Sequence, residues 1–481
     1  MTTAATSLVL ERQPRTASPV LMMGVSMALV DISTLSFAVF VGFWCWSLIN
    51  PAISLYHTSM LLAVGFSSVA FAFYGLYPGI GMTAVEHMRR IAHSVTLVYL
   101  LLTASMFLVK DWWANSRGGF LLSWAFSLVL VPVGRAIAGY FLRSRPWWGA
   151  PVMVLGAGQT ARVVIQNLKD NQVLGYRPVV CLDDDPATHG VCLGVPVPGY
   201  LRDVAYFAHR YQTRRAIVAM PGLPRERLVA NLERWWSIFP NILIVPDLFG
   251  VASLWTEPRD LGGVLALRIR CNLLNPFNRF IKRAMDIVLA AIALLVSAPV
   301  FAVAALWIKR VSPGPAFYVH EREGEGGRPI HILKLRTMVS GADQMLHQHL
   351  AQNPEAAREW ARFCKLKRDP RILPGIGSFL RKTSLDELPQ LWNVLVGEMS
   401  LVGPRPFPGY HNQRFHTEFR NLRTQVTPGL TGLWQISARS NGDLDVQTQL
   451  DTYYIKNWSI WLDLYILTRT VRAVLIPKGA C

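Results

Sequence analysis

Apolar residues fill the first third of the chain in four long runs, roughly Val20–Leu48, Leu55–Leu76, Ile91–Val109 and Phe120–Leu142. Each approaches or exceeds the ~20 residues that a helix needs to cross a bilayer. The pattern predicts an N-terminal four-helix transmembrane domain, residues 1–148. Arg12 and Arg15 precede the first run, and no Lys or Arg separates the first from the second. Arg89 and Arg90 lie between the second and third, and Arg143 and Arg145 follow the fourth. Lys110 and Arg117 run against this trend, partly offset by Asp111. The positive-inside rule therefore places the N-terminus and everything after Arg143 in the cytoplasm. No small-residue cleavage site follows a short apolar core, so no removable signal peptide is expected.

From Pro151 the period changes. Val152–Leu155, Val179–Leu182, Ala216–Met220 and Ile242–Val245 are short apolar runs, and Gln159–Leu168 follows the first with a helical pattern. Strands alternating with helices predict a parallel, Rossmann-like α/β domain over residues 149–250. Gly156-x-Gly158-x-x-Ala161 resembles a dinucleotide fingerprint, with Asp183-Asp184-Asp185 at the end of the second strand. The segment is about half of a full two-halved dinucleotide domain, and none of its tyrosines has a lysine four residues later. Nucleotide binding and a regulatory or assembly role both remain open for it.

After a linker, residues 251–277, a second membrane element begins. Ala284 to Ile308 is apolar except for Asp286, with Pro299 near its middle. Lys282 and Arg283 guard one end, Lys309 and Arg310 the other. A straight crossing would leave basic residues on both faces of the membrane. Proline removes a backbone hydrogen bond and kinks a helix. The expectation is a re-entrant helix over residues 282–309 that turns at Pro299 and returns to the cytoplasmic surface. Asp286 is expected to pair with a neighbouring Lys or Arg. From Pro313 the chain is mixed, charged and soluble-looking, and with the membrane element it is expected to form one mixed α/β domain, residues 278–481. Trp458 to Leu475 has the look of an amphipathic helix on the membrane surface.

Composition narrows the partners. Hydrophobic residues are 52% of the 481 and charged residues only 16%, too apolar for a wholly soluble enzyme of this size. The formal net charge is +18. In so apolar a chain this excess points to anionic lipid or phosphate-bearing substrates. No nucleic-acid partner is expected, because no zinc-finger spacing or basic–aromatic module occurs. Six scattered cysteines without C-x-x-C argue against a disulfide framework or a zinc site.

The chemistry concentrates in Leu380–Pro406, LRKTSLDELPQLWNVLVGEMSLVGPRP. Asp386 and Glu387 follow Arg381 and Lys382, and a Gly403-Pro404-Arg405-Pro406 turn closes the run. Ser384-x-x-Glu387 also matches a helix capping box. Pro389 is tolerated only in a first turn, which favours a helix starting nearer Asp386 than Ser384. Neighbouring residues on a helix diverge by about 100°, so the two carboxylates would have separate roles: one a nucleophile, the other a metal ligand or base. On spacing alone, capping and catalysis compete equally. Arg381 and Lys382 are candidates for pyrophosphate, and Arg405, held between prolines, for a phosphate or nucleotide clamp. Lys334 and Arg336 alternate in Ile332–Thr337 and are expected to share a strand face.

Read in order, Lys282-Arg283-x-x-Asp286, KLRTM at Lys334–Met338, LRKTSLDELPQ, MSLVGPRP, Pro428–Gln435 and Tyr453-Tyr454-x-Lys456-Asn457 resemble the bacterial sugar transferases. These are the polyprenyl-phosphate hexose-1-phosphate transferases of the monotopic phosphoglycosyl transferase class. The insertion Leu350–Ile372 looks most like that of undecaprenyl-phosphate galactose phosphotransferases. The resemblance implies transfer of hexose 1-phosphate, galactose 1-phosphate first and glucose 1-phosphate next, from a UDP-sugar to undecaprenyl phosphate with release of UMP. It would be the first membrane step of O-antigen, capsule or exopolysaccharide synthesis. It implies a covalent aspartyl-phosphosugar on Asp386 with Glu387 as partner, and Mg2+ bound at Asp386 and Glu387. It further implies Arg381, Lys334, Arg336, Arg405 and Arg439 at the substrate. The setting is the bacterial inner membrane with the catalytic domain on the cytoplasmic face, and a homodimer is expected. Smaller members carry Ser-Pro at the re-entrant break, where this chain has Ala298-Pro299. Three other readings stand beside it: direct attack by lipid phosphate with Asp386 only a metal ligand, a membrane-anchored nucleotide-sensing regulator of polysaccharide assembly, and a structural scaffold for that assembly.

Overall fold

A computed structural model describes residues 18–50, 57–108, 117–246, 257–260, 265–268, 272–339, 341–363, 366, 369–412, 415–437 and 444–475. The chain divides into two units, Met1–Phe249 and Gly250–Cys481.

The first unit opens with helices α1 (Pro19–Ile49), α2 (His57–Phe73), α3 (Ala84–Leu108) and α4 (Arg117–Leu142). Leu35, Val39, Phe43, Phe71, Val95 and Phe120 form their shared core. Leu29, Phe40, Leu61, Leu100 and Ile137 point outward and are exposed, the surface expected of a lipid-facing helix. Small residues let helices approach: a Cβ on Gly134 would lie 2.2 Å from Thr34 Cγ2. The buried charge of Asp31 is paired. Arg135 donates to both oxygens of buried Asp31, at 2.8 and 2.5 Å. Of the four apolar runs, α1 and α4 are by themselves long and apolar enough to span a membrane. The second helix has 17 residues, and the third begins with Glu86, Arg89 and Arg90, paired with one another.

The α/β part follows as β1 (Ala150–Leu155), α5 (Gln159–Asp170), β2 (Tyr176–Leu182), the short antiparallel pair β3 (Gly190–Cys192) and β4 (Val195–Val197), α6 (Val204–Arg210), β5 (Arg215–Val218), α7 (Arg225–Trp236) and β6 (Asn241–Ile244). The four longer strands pair in parallel in the order β2-β1-β5-β6. The predicted strands are all present, with Met220 and Val245 just beyond their ends. Gly156 adopts φ +101°, and Gly158 caps α5. The Ala157 amide between them donates to the Asp183 carboxylate.

In the second unit β7 (Glu257–Asp260) and β8 (Leu265–Arg268) pair antiparallel. Then come α8 (Pro276–Val311), the hairpin β9 (Phe317–Glu323) and β10 (Pro329–Leu335), α9 (Ala342–Gln352), α10 (Pro354–Phe363), α11 (Ile376–Thr383) and α12 (Gln390–Val396). The chain ends with β11 (Ser400–Val402), α13 (Gly409–Asn412), α14 (Thr417–Thr424), β12 (Gly429–Thr431), α15 (Leu433–Ser437), α16 (Leu444–Asn457) and α17 (Ile460–Leu475).

The expected turn at Pro299 does not interrupt α8, which stays helical through the proline. Leu295, Val296 and Val303 around it are exposed. Both flanks pack on the same α/β body. Arg283 donates to the Val394 and Leu395 carbonyls, at 2.5 and 2.7 Å, closing the C-terminal end of α12. At the other flank, Ala304 and Ile308 share a core with Leu335, Ile376 and Leu380. The hydroxyl absent at Ala298 has a neighbour in Ser297, whose Oγ donates to the Ala293 carbonyl at 2.7 Å. Such back-bonding bends helices.

The first flank is locked by charge. Lys282 donates to Asp463 at 2.7 Å and to the Val402 carbonyl at 3.0 Å. Asp463 also accepts from Tyr454 and Trp458, at 2.8 and 3.0 Å. Asp286 lies 3.8 Å from Lys282, as expected, but its closer partners are the Ser400 hydroxyl at 2.7 Å and the Leu401 amide at 3.2 Å. The Lys282 and Tyr454 motifs, 172 positions apart by number, thus meet around β11. The helix α17 buries Leu462, Asp463 and Ile466 against this body and leaves Val471 exposed.

Removing one partner of a buried ion pair strands the other charge, at a cost of about 3–5 kcal/mol. Lys282→Met is therefore expected to lower the unfolding midpoint of the detergent-solubilised protein far more than Lys309→Met at the exposed flank. Equal midpoints for the two variants would contradict the assignment.

Candidate active site

Three segments converge on one carboxylate. The Lys334 Nζ, near the end of β10, donates to Glu387 Oε1 at 2.7 Å. Arg405 donates to the same oxygen at 2.6 Å and to Oε2 at 3.3 Å. Asp386 makes no such ion pair among the described residues.

The local backbone explains the separation. Helix α11 ends in Ser384, which adopts φ +56°, and Leu385–Glu387 form a single 3-10 turn. Pro389 then caps α12, which starts at Gln390. The capping box anticipated from Ser384-x-x-Glu387 does not form, because Ser384 makes no side-chain cap bond and Glu387 turns toward cations. Pro389 moves the α-helix start past both carboxylates, further than expected.

The clamp on Glu387 is buttressed from behind. Asn393 accepts from the Leu333 amide at 3.0 Å and donates to the His331 carbonyl at 2.8 Å and to Glu398 at 2.7 Å. It ties α12 to β10, so Lys334 faces the carboxylates. The sequence signal was a lone Asn in an apolar helix, easily passed over. The Gly403–Pro406 turn is fixed differently. Strands β11 and β12 pair in parallel, and a Cβ on Gly429 would come within 2.0 Å of the Gly403 nitrogen. Glycine is needed at this crossing because two backbones touch there. The GPRP and PGLTG motifs are thus two halves of one contact.

Of the predicted substrate residues, Lys334 and Arg405 come together on Glu387. Arg381 lies exposed in the last turn of α11, and its charge reaches Asp386. Arg336 does not join them. It lies beyond the end of β10, buried, and donates to the Ser312 and Pro313 carbonyls at 2.6 and 3.0 Å. It closes the chain leaving α8, so strand alternation is not enough to bring it to Lys334's partners. Arg439 lies outside the described residues.

Electrostatics divides the two carboxyls. Burial, then the Glu387 charge, push Asp386 up to about 6, against Lys334 and Arg381, which lower it. Burial also pushes Glu387 up, but Arg405 and Lys334 more than reverse this and hold it well below the usual carboxylate range. Glu387 in turn raises Arg405. One carboxylate is therefore permanently charged and the other titrates near neutrality, a division of labour typical of paired catalytic carboxyls.

Magnesium takes hard oxygen ligands, commonly one or two carboxylates plus substrate phosphates. Asp386 offers such oxygens, while both oxygens of Glu387 are held by cations. Among the described residues no group of three His, Cys, Asp or Glu gathers. The donor set fits an ion shared with a substrate's phosphates, not one caged by protein alone.

Residues 277–477 match the family described as bacterial sugar transferase, and residues 72–246 match a CoA-binding domain family. The chain is 35% identical over 376 residues to the undecaprenyl-phosphate galactose phosphotransferase of Salmonella typhimurium, covering 76% of this chain and 77% of that protein. The chain belongs to the bacterial sugar transferase family. Another family member, the UDP-glucose:undecaprenyl-phosphate glucose-1-phosphate transferase of Escherichia coli, is 32% identical over 72% of both chains. The exopolysaccharide production protein ExoY of Rhizobium meliloti is 40% identical over 43% of this chain and 90% of its own length. As a family member the chain is a phosphoglycosyl transferase, an enzyme with membrane-spanning character in its apolar helices.

A base or nucleophile with a raised pKa is lost as pH falls through that value. Transfer measured as kcat/KM is expected to be flat above pH ~6 and to fall about tenfold per unit below it. Glu387→Gln removes the neighbouring negative charge that raises Asp386. Residual activity in that variant should show its acid limb shifted to lower pH; an unshifted or higher limb would contradict the coupling.

Proposed function

We propose that Asp386 is the nucleophile in transfer of hexose 1-phosphate from a UDP-sugar to undecaprenyl phosphate. The observation that carries this is the split pair: Glu387 locked by two cations, Asp386 beside it without an ion pair among the described residues and pushed up to about 6. The names of the family relatives supply the substrates, with galactose favoured and glucose the second reading.

In the first step an Asp386 oxygen attacks the phosphorus that bears the sugar. The bond from that phosphorus to the bridging oxygen breaks, and UMP leaves with the electron pair. In the second step an oxygen of the lipid phosphate attacks the same phosphorus and displaces the Asp386 carboxylate, giving the lipid diphosphosugar. One phosphoanhydride replaces another, so the overall exchange is near energetic balance. A carboxylate nucleophile lets the soluble donor and the lipid acceptor bind in turn. Lys334 and Arg405, net of Glu387, leave one positive charge beside the transferring phosphoryl group, where such charge stabilises the transition state. Arg381 adds a second, solvent-facing cation for the donor pyrophosphate. Magnesium, held by Asp386 and the substrate phosphates, would add further neutralisation of the pyrophosphate charge.

The membrane arrangement belongs to the same proposal. Both flanks of α8 are seated on one α/β body while its apolar middle is bare, which favours a helix that dips into one leaflet and returns at Pro299. That keeps the centre at the cytoplasmic face of the inner membrane, at the level of the lipid phosphate. The four N-terminal helices would form a transmembrane bundle, the parallel sheet a Rossmann-like module, and the assembly a homodimer.

Incubation with radiolabelled UDP-galactose and no lipid acceptor is expected to leave a stoichiometric labelled protein, absent in Asp386→Asn. Label retained in that variant would refute Asp386 as nucleophile. Galactose is expected to exceed glucose as donor in full turnover with undecaprenyl phosphate. Tags before Asn278 and after Cys481 should both be accessible from the cytoplasm; opposite-side labelling would refute the re-entrant path.

A further inference from the structure

Arg405 reaches Glu387 from a turn that has unusual backbone needs. Pro404 and Pro406 carry no amide hydrogen, so the turn cannot hold itself by its own amides at those positions. Its carbonyls are satisfied from outside. The Pro404 oxygen accepts from the Gly429 amide at 2.9 Å. The Arg405 oxygen accepts from the guanidinium of Arg423, on α14.

Arg423 is itself built into place. It is 9% exposed, too little to be solvated, so its charge must be met within the protein. The guanidinium carbon lies 4.8, 5.4 and 5.7 Å from the ring centroids of Phe407, Phe415 and Phe419. A desolvated cation over aromatic faces is attracted by the negative face of each ring. Nη1 donates to Asn412 Oδ1 at 3.1 Å, and Nε lies 3.4 Å from the buried carboxylate of Asp451. Lysine could not reproduce this fork of donors, because it offers one compact charge.

We propose that Arg423 is a positioning residue for the transfer reaction: through the Arg405 carbonyl it fixes the turn that delivers the Arg405 guanidinium to Glu387. It touches neither carboxylate, and its action runs through main chain. This rests on the assignment of Asp386 and Glu387 as the reacting pair. The aromatic box makes the anchor rigid, and the two prolines transmit that rigidity to the side chain between them. Asp451 balances the anchor's charge; it faces Arg423, while Glu323 adds a second negative charge on the same guanidinium.

The test is a double-mutant cycle on the full-length enzyme in detergent, read as kcat for UMP release and as KM for the UDP-sugar. Arg423→Gln alone is expected to lower kcat about tenfold with KM changed less than threefold. Arg405→Ala is expected to lower it further. In the Arg405→Ala background, adding Arg423→Gln should change kcat by less than twofold, because its only route to the reaction is already gone. Effects that multiply would overturn the proposal and make Arg423 a general stabiliser. If Arg423→Gln fails to fold, the milder Asn412→Ala loosens one contact of the same anchor and is run through the same cycle. Arg423→Lys should not restore kcat; full rescue by lysine would also overturn it. Labelled adduct retained in Asp386→Asn, with the Arg405–Arg423 cycle still non-additive in kcat, would sink the nucleophile reading and spare this one.

Discussion

A single carboxylate shared by two cations organises the second unit. Glu387 can be buried and ionised only because Lys334 and Arg405 approach it within 2.7 Å. Their approach in turn fixes three otherwise separate segments: the end of β10, the 3-10 turn after α11, and the turn after β11. Replace Glu387 by a neutral group and two cations face each other beside Asp386. The charge state of Asp386 therefore depends on a residue that need not touch the substrate. This is why two adjacent acids in the sequence behave as chemically different groups.

The membrane imposes the second constraint. A helix as apolar as α8 requires cover or lipid along its middle, while its ends must hold the α/β body. The structure meets this by placing charge at the flanks and no charged side chain between Asp286 and Lys309. Lys282 is neutralised by Asp463 from the far end of the chain, and Arg283 is consumed by the carbonyls that end α12. These cations look like membrane-surface anchors in the sequence. In the fold they act as rivets between the membrane helix and the body carrying Asp386. Lys309 and Arg310, exposed at the other flank, are the ones left for anionic headgroups.

Much of this was legible from residue order. Apolar runs predict α1 to α4 within three residues except at the start of α3, seven residues earlier than its run, and short continuous apolar runs give the four parallel strands, because both signals are local. The 17-residue α2 and the charged start of α3 are also readable, yet a run-length reading still counts them as equal to α1. Three things were not legible. The capping-box pattern at Ser384 is locally sound, but tertiary cations outcompete a cap for Glu387. Arg336 obeys the strand alternation until β10 ends, one residue before it, and then serves the backbone leaving α8. Asn393 gives no pattern at all, since two of its three partners, Leu333 and His331, are distant in sequence. Long-range satisfaction of polar groups is what periodicity cannot carry.

The same logic explains why so many of the motifs that resemble the family are not reactive. Of the ordered motifs, Lys282 and Asp286 meet Tyr454 around β11, Gly403 meets Gly429, and Asn393 meets β10. Asp386 makes no ion pair among the described residues, with Glu387 held beside it. A transfer centre placed at a bilayer surface cannot rely on a deep pocket to order its charges, since it must admit both a soluble nucleotide sugar and a lipid. Rigidity has to come from behind. The buried polar links spread over this unit supply it, and they hold two adjacent carboxyls in different protonation behaviour.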